Sequence, residues 1–363
     1  MHLVLSLLAA VALSPPPACA GHLPRPPVGL PAPIVVTTGC AEFTIGRDGS
    51  VVAAPLPPLP SAPVPTGGHA VLLDRGRIVW RSARRFRVYD VVLRPGPRGV
   101  ALGYHGRLYL ARGRGPERLV GRGIPLGWTR RGTVLTLRFR GRRTDVEVHD
   151  VAGRRLRVLA RSVGSYGLDS ATGTLLYVDR AGVLFRSDGR FRTRLLKVRT
   201  FGLGRRAWAE PLAGGLIALR DAHRLAVLRH DGTLVGSVRY GAQGGPPVAG
   251  RAGVAFTATR GYSGYRTIGL DDVQVMRPDG SVVSVLRRRL RFALCTRGAE
   301  LSWRGRWLLY RSTEGALAAI DTRTDRTIDL TRFAARLPGF VVAADGAADL
   351  DAHWAGPQGP SPV

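Results

Sequence analysis

The chain has 363 residues, 45% of them hydrophobic, and a formal net charge of +29. That apolar content is enough for a packed core and excludes global disorder. With 47 glycines and 26 prolines, it fits many short strands joined by tight turns better than long helices. The basicity is almost entirely arginine, since Lys197 is the only lysine. The arginines are spread along the whole chain, often at alternate positions as in Arg138-Phe139-Arg140. A spacing of two puts them on solvated strand faces. The motifs of nucleic-acid readers are absent, so sequence-specific nucleic-acid recognition is not expected. An attraction to an anionic polymer or membrane surface stays open.

In chain order, the first feature is an export signal over residues 1–20. Leu3 to Leu13 is apolar, Pro15-Pro16-Pro17 follows, and Ala18-Cys19-Ala20 supplies small residues for cleavage after Ala20. The stretch is too short for a permanent bilayer anchor, and no later segment is continuous enough to be transmembrane. The expected location is secreted or extracytoplasmic, in the cell envelope. The second reading is a lipoprotein anchored through Cys19, although Pro16-Pro17-Ala18 lacks the apolar residue expected upstream. Residues 21–39 read as a linker, 40–345 as the folded body and 346–363 as a tail, with Phe340 to Ala344 a possible closing strand. Pro55 to Pro65 carries six prolines and cannot pair as a central strand, so 55–66 is an insertion or a polyproline linker.

The body is organised by a repeat. A glycine followed by a short apolar strand occurs at Gly49, Gly99, Gly132, Gly173, Gly215, Gly253 and Gly305, about 43 residues apart on average. Between these lie strand–turn–strand segments. Val183 to Leu196 turns at Asp188-Gly189, Leu225 to Val238 at Asp231-Gly232, and Val273 to Leu286 at Asp279-Gly280. Asp-Gly between alternating apolar residues is a strong hairpin signal. Weaker copies run from Val146 to Leu159, Leu108 to Val120, Ile78 to Val92 and Leu317 to Leu330. Two hairpins per unit make four strands, which predicts an all-β β-propeller of about seven four-stranded blades, with six or eight as alternatives. Trp128, Tyr166, Trp208 and Trp303 each precede a repeat glycine. They read as packing residues of the inner strands, with a sugar-stacking platform as the sharper alternative.

The segment Glu300-Leu301-Ser302-Trp303-Arg304-Gly305-Arg306-Trp307-Leu308-Leu309-Tyr310, followed by Leu317 to Asp321, resembles a repeat of the TolB-type or WD40-like bacterial β-propeller proteins. Those repeats usually carry Ser-Pro-Asp-Gly before the second strand. Here Pro278-Asp279-Gly280 falls in an outer hairpin instead. The resemblance covers about Cys40 to Leu330 and implies a fold, not an activity.

Cleavage of the signal leaves Cys40 and Cys295. In an exported chain an even pair points to a disulfide, and between the first and last units of a ring it would clasp the circle. Two buried thiols are the alternative. For chemistry, the eight histidines form no His-x-x-x-His pair, and there is no Gly-x-Ser-x-Gly elbow. No catalytic residue, metal site or cofactor is indicated. One connection stands out as a binding loop. Arg260, Tyr262, Tyr265 and Arg266 are followed by Asp271 and Asp272, which suits contact with a partner or, through the carboxylates, calcium. The expected function is therefore an exported, monomeric, non-enzymatic binding or scaffold propeller. It would present loops to a protein partner or an anionic cell-envelope polymer. The alternative is an extracytoplasmic propeller enzyme acting on glycans as a hydrolase or lyase.

Overall fold

A computed structural model describes residues 23–27, 29–55, 68–74, 77–86, 91–169, 172–205, 207–239, 245–260, 269–290, 299–312, 314–341, 348 and 350–355. Among them are seven four-stranded antiparallel sheets and one two-stranded sheet. Six of the four-stranded sheets are continuous in sequence: 91–122, 124–160, 163–197, 208–239, 248–290 and 300–329. They form the second to seventh blades of a β-propeller, with strand order equal to chain order from the axis outward. The export signal and residues 56–66 of the proline-rich segment lie outside the described residues, while Pro55 ends an edge strand paired with Ala41.

The first blade is built from both ends of the chain. Its sheet order is Val51–Pro55, Ala41–Ile45, Ile34–Thr38 and Leu350–Trp354, so the C-terminal strand supplies the innermost position. The expected body limits of 40 and 345 cut through this blade, and the closing strand is Leu350–Trp354 instead of the segment near Phe340. The two-stranded hairpin Gly68–Asp74 and Arg77–Phe86 follows the first blade in sequence. Arg77–Phe86 pairs backwards, so Ile78 to Val92 is not a hairpin; Val91 already begins the next sheet.

Alternation along each strand explains the ring. Ile217 and Leu219 pack with Leu176 and Val178 of the fourth blade, whereas Ala218 between them packs with Val254 and Phe256 of the sixth. Similar shared clusters join second to third, third to fourth, sixth to seventh and seventh to first blades. Another joins the hairpin to the second blade through Trp80, Phe86, Leu102 and Tyr109. Each large apolar side chain so buried contributes about 1.5–3 kcal/mol.

The repeat glycines at 99, 132, 173, 215, 253 and 305 all stand at the turn between the first and second strands of their blades. Gly49 does not. It sits in the outer turn between Ala41–Ile45 and Val51–Pro55, because the first blade takes its inner strand from the far end of the chain. The Asp-Gly turns fall where the sequence puts them. The Asp279 carboxylate accepts the Ser281 N–H at 2.9 Å, and Gly280 adopts φ 85°, a conformation that favours glycine.

Three tryptophans tie neighbouring inner strands. The indole N–H of Trp128 donates to Arg94 O at 2.8 Å, that of Trp303 to Val248 O at 3.0 Å, and that of Trp354 to Ser302 O at 3.1 Å. Each bond runs to the blade preceding it around the ring. A Cβ on Gly96 would lie 2.2 Å from the Trp128 ring, and one on Gly250 2.4 Å from Trp303, so both glycines are seats for an indole. Trp354 completes the series across the chain ends. Trp354→Ala should cost about 3–5 kcal/mol in urea denaturation by removing the buried indole from the closing strand. A midpoint equal to that of the unaltered protein would show that this closure carries little stability.

Candidate functional site

The outer strand of the third blade, Arg155–Ala160, contains two register shifts against Arg143–His149. Val146 faces Ala160, Glu147 faces Val158, Val148 faces Arg157 and His149 faces Arg155. Bulges re-aim side chains, so Arg155 and Arg157, two residues apart, leave the sheet on opposite faces. Arg155 turns toward Glu147, with Nη1 at 3.4 Å from Oε1. Arg157 turns toward the fourth blade and donates to Gly189 O.

On that second face a cleft of about 650 Å³ opens between the third and fourth blades, walled by Arg157, Arg161, Arg190 and Arg192, with Phe191 and the backbone of 158–160. Among the described residues no acidic side chain lines it. Phe191 is 62% exposed, and the Arg190 guanidinium lies 4.9 Å from its ring centre. Arg192 stands 5.6 Å over Phe185, which stacks on buried Tyr177 at 5.1 Å. An Asp-Gly turn presents this set. The Asp188 carboxylate accepts the N–H groups of Phe191 at 2.7 Å and Arg190 at 2.8 Å. The Phe191 bond holds the Asp188 carboxyl below its usual value of 3.8; burial opposes it, and the Arg190 bond and the Arg131 charge add to the lowering. Because this pKa is depressed in the folded state, the anchor is intact at neutral pH and is lost only as the pH falls below the ordinary carboxylate range. Four guanidinium groups with no carboxylate among them can hold a carboxylate, phosphate or sulfate through charge-assisted bonds.

The opposite face of the third blade carries a different arrangement. Glu147 is fully buried, and its Oε1 meets Arg138, Arg140 and Arg155, each at 3.4 Å. Arg138 and Arg140 reach this buried carboxylate with 33% and 48% of their side chains still exposed, and Phe139 between them is 56% exposed. The three arginines offset the cost of burying one charge.

The loop expected to bind a partner is placed only in part. Arg260 ends the strand Gly253–Arg260, while Tyr262, Tyr265 and Arg266 lie outside the described residues. Asp271 and Asp272 are not loop residues; they belong to the strand Gly269–Met276 and are 2% and 1% exposed. Alternation sends them to opposite faces, so they share no ligand cage. Asp271 accepts the Tyr310 O–H at 2.9 Å on the side of the seventh blade. Asp272 accepts from Gln274 and Ser284, with Arg287 Nε 3.7 Å away. Among the described residues no group of three or more His, Cys, Asp or Glu side chains is placed to hold a metal ion. Burial, then the Asp271 charge, push the Tyr310 hydroxyl well above its usual range, so it donates its proton across neutral and alkaline pH. Tyr310→Phe should therefore destabilise the protein by about 1–3 kcal/mol in chemical denaturation. Unchanged stability would mean that the bond is not needed between these blades.

Of the four inner aromatics, Trp128 is 6% exposed, and Trp303 is seated on Gly250. Tyr166 and Trp208 are 39% and 58% exposed and are not core. The arginine cleft itself was missed. Its signal, Arg190-Phe191-Arg192 directly after an Asp-Gly turn, was present, but its partner strand is aimed by bulges that leave no mark in the sequence.

No family model matches the chain, and no match was found among curated proteins. Among solved structures, apo AztD from Citrobacter koseri is similar at 8% identity over 88% of this chain and 97% of that one, with a TM-score of 0.48. BamB from Moraxella catarrhalis is similar at 15% identity over 80% and 91%, with a TM-score of 0.41. A europium-containing methanol dehydrogenase is similar at 11% identity over 85% and 77%, with a TM-score of 0.43. Strand order and blade-to-blade packing define this chain as a β-propeller. Among the described residues, no helix is long and apolar enough to cross a membrane.

Proposed function

We propose that the protein is an exported, non-enzymatic binding propeller whose arginine cleft holds an anionic polymer of the cell envelope or the acidic face of a protein partner. The observation that carries this reading is the convergence of Arg157, Arg161, Arg190 and Arg192 on one 650 Å³ cleft with no lining carboxylate. Elsewhere, by contrast, arginines are spent on internal carboxylates, as at Glu147, Glu210 and Asp321. Phe191 adds an apolar surface for the body of the ligand.

Immobilised polygalacturonate and polyphosphate are suitable probes. Retention should weaken steeply with added salt. The triple change Arg161→Gln, Arg190→Gln and Arg192→Gln should lower affinity about tenfold or more, since each lost charge-assisted bond is worth about 1.5–3 kcal/mol before solvent screening. Replacing the exposed Arg229, Arg239 and Arg277 by Gln removes the same charge and should have little effect. Equal losses from both triples would show that charge acts diffusely and that the cleft is not the site.

The Cys40–Cys295 clasp belongs to the same proposal, since it suits an oxidising compartment. Cys40 lies in the turn from Ile34–Thr38 to Ala41–Ile45, and Cys295 lies outside the described residues. Non-reducing peptide mapping of the exported protein should recover one cross-linked peptide containing both cysteines; two freely alkylated thiols would exclude the clasp.

A further inference from the structure

The innermost strands of the fourth and fifth blades, Val163–Asp169 and Trp208–Leu212, lie side by side at one height. Ser165 Oγ donates to Ala207 O at 2.5 Å, and a Cβ on Gly167 would come within 2.4 Å of Ala209 O. This close seam buries Ala207 and Ala209 completely. It leaves the residues between, Tyr166 and Trp208, turned out of it on opposite sides, Tyr166 toward the third blade and Trp208 toward the sixth, and both are exposed.

Trp208 is the first residue of its strand, at the end where the chain enters the blade. Its face carries a fixed polar pair. Arg220 lies directly opposite Trp208 in the ladder, and Glu210 is two residues on, so all three side chains share one face. Arg220 grips Glu210 Oε1 through Nη2 at 2.7 Å and Nε at 3.1 Å. The indole is therefore flanked by a carboxylate and a guanidinium of opposite charge.

We propose that Trp208, with Glu210 and Arg220 beside it, forms a subsite near the propeller axis for an uncharged saccharide. A pyranose ring has an apolar C–H face that stacks on an indole, and hydroxyls that both donate and accept. Glu210 supplies acceptors and Arg220 donors side by side, which suits neighbouring hydroxyls. The cancelled charge separates this site from the arginine cleft and selects a neutral ligand. The exposed indole invites no other polar partner so directly: an anion gains nothing from a balanced pair. The site is independent of the cleft, and either can fail alone.

The test uses the full exported chain and a panel of neutral hexasaccharides built from glucose, mannose, xylose or N-acetylglucosamine, read by tryptophan fluorescence and calorimetry. At least one should bind, with affinity that changes little between low and high salt. Trp208→Ala should weaken it about tenfold or more, a large aromatic contact being a typical centre of binding energy. Tyr166→Ala, which alters a ring on the far side of the fourth blade, should leave it unchanged, and Glu210→Gln should weaken it without loss of the fold. Trp208 is 58% exposed, so its removal should leave the urea midpoint unchanged. Retention on polygalacturonate should survive Trp208→Ala if the cleft is the anionic site. The proposal is overturned if no hexasaccharide binds at millimolar concentration or if Trp208→Ala binds as tightly as the unaltered protein. It is equally overturned if Trp208→Ala abolishes only the capture of polygalacturonate or of an acidic protein.

Discussion

A four-stranded sheet with apolar side chains on both faces has no stable existence alone, and the rest of this molecule follows from that constraint. Leu175 and Tyr177 face the third blade, while Leu176 and Val178 face the fifth. Each sheet must therefore be covered twice, and a ring is the arrangement in which every sheet has two neighbours. Closure then becomes a requirement. The chain meets it by giving the first blade an inner strand from residues 350–354, paired along its length with Ile34–Thr38.

The ring also dictates where polar groups can go. Near the axis, backbone carbonyls of one inner strand receive an indole N–H from the next, at Trp128, Trp303 and Trp354. Between blades, buried carboxylates recur with local partners: Asp271 with Tyr310, Asp272 with Gln274 and Ser284, and Glu147 with three arginines. Such groups are costly when unpaired and help fix which blade packs on which. The arginine excess divides accordingly. Some guanidinium groups neutralise internal carboxylates, and those around the cleft at Arg157, Arg161, Arg190 and Arg192 face no lining acid.

Two features of the scaffold point outward. At the rim, two bulges turn Arg157 away from the side that holds Arg155, and the Asp188 turn swings Arg190 to Arg192 against it. Near the axis, Trp208 is left bare because the residue after it fills the seam with the fourth blade. The rim is cationic and the axial position balanced in charge, so the two ask for different ligand chemistry.

Strand periodicity, the Asp-Gly turns and the spaced glycines made the blade architecture legible from the amino acids, because these are local properties: alternation sets the faces and the turn demands a positive φ at Gly280. The role of Gly49, the limits of the first blade and the closing strand were not legible, since pairing between residues 34–38 and 350–354 spans the whole chain. Nor could spacing tell Trp128, packed on Gly96, from Trp208, which is bare; which neighbour covers an aromatic is decided across a blade boundary. The paired Asp271-Asp272 looked like a loop site and proved to be two buried strand residues facing opposite ways. Local chemistry thus fixed the kind of fold, and long-range packing alone decided which charged and aromatic side chains remain available to a ligand.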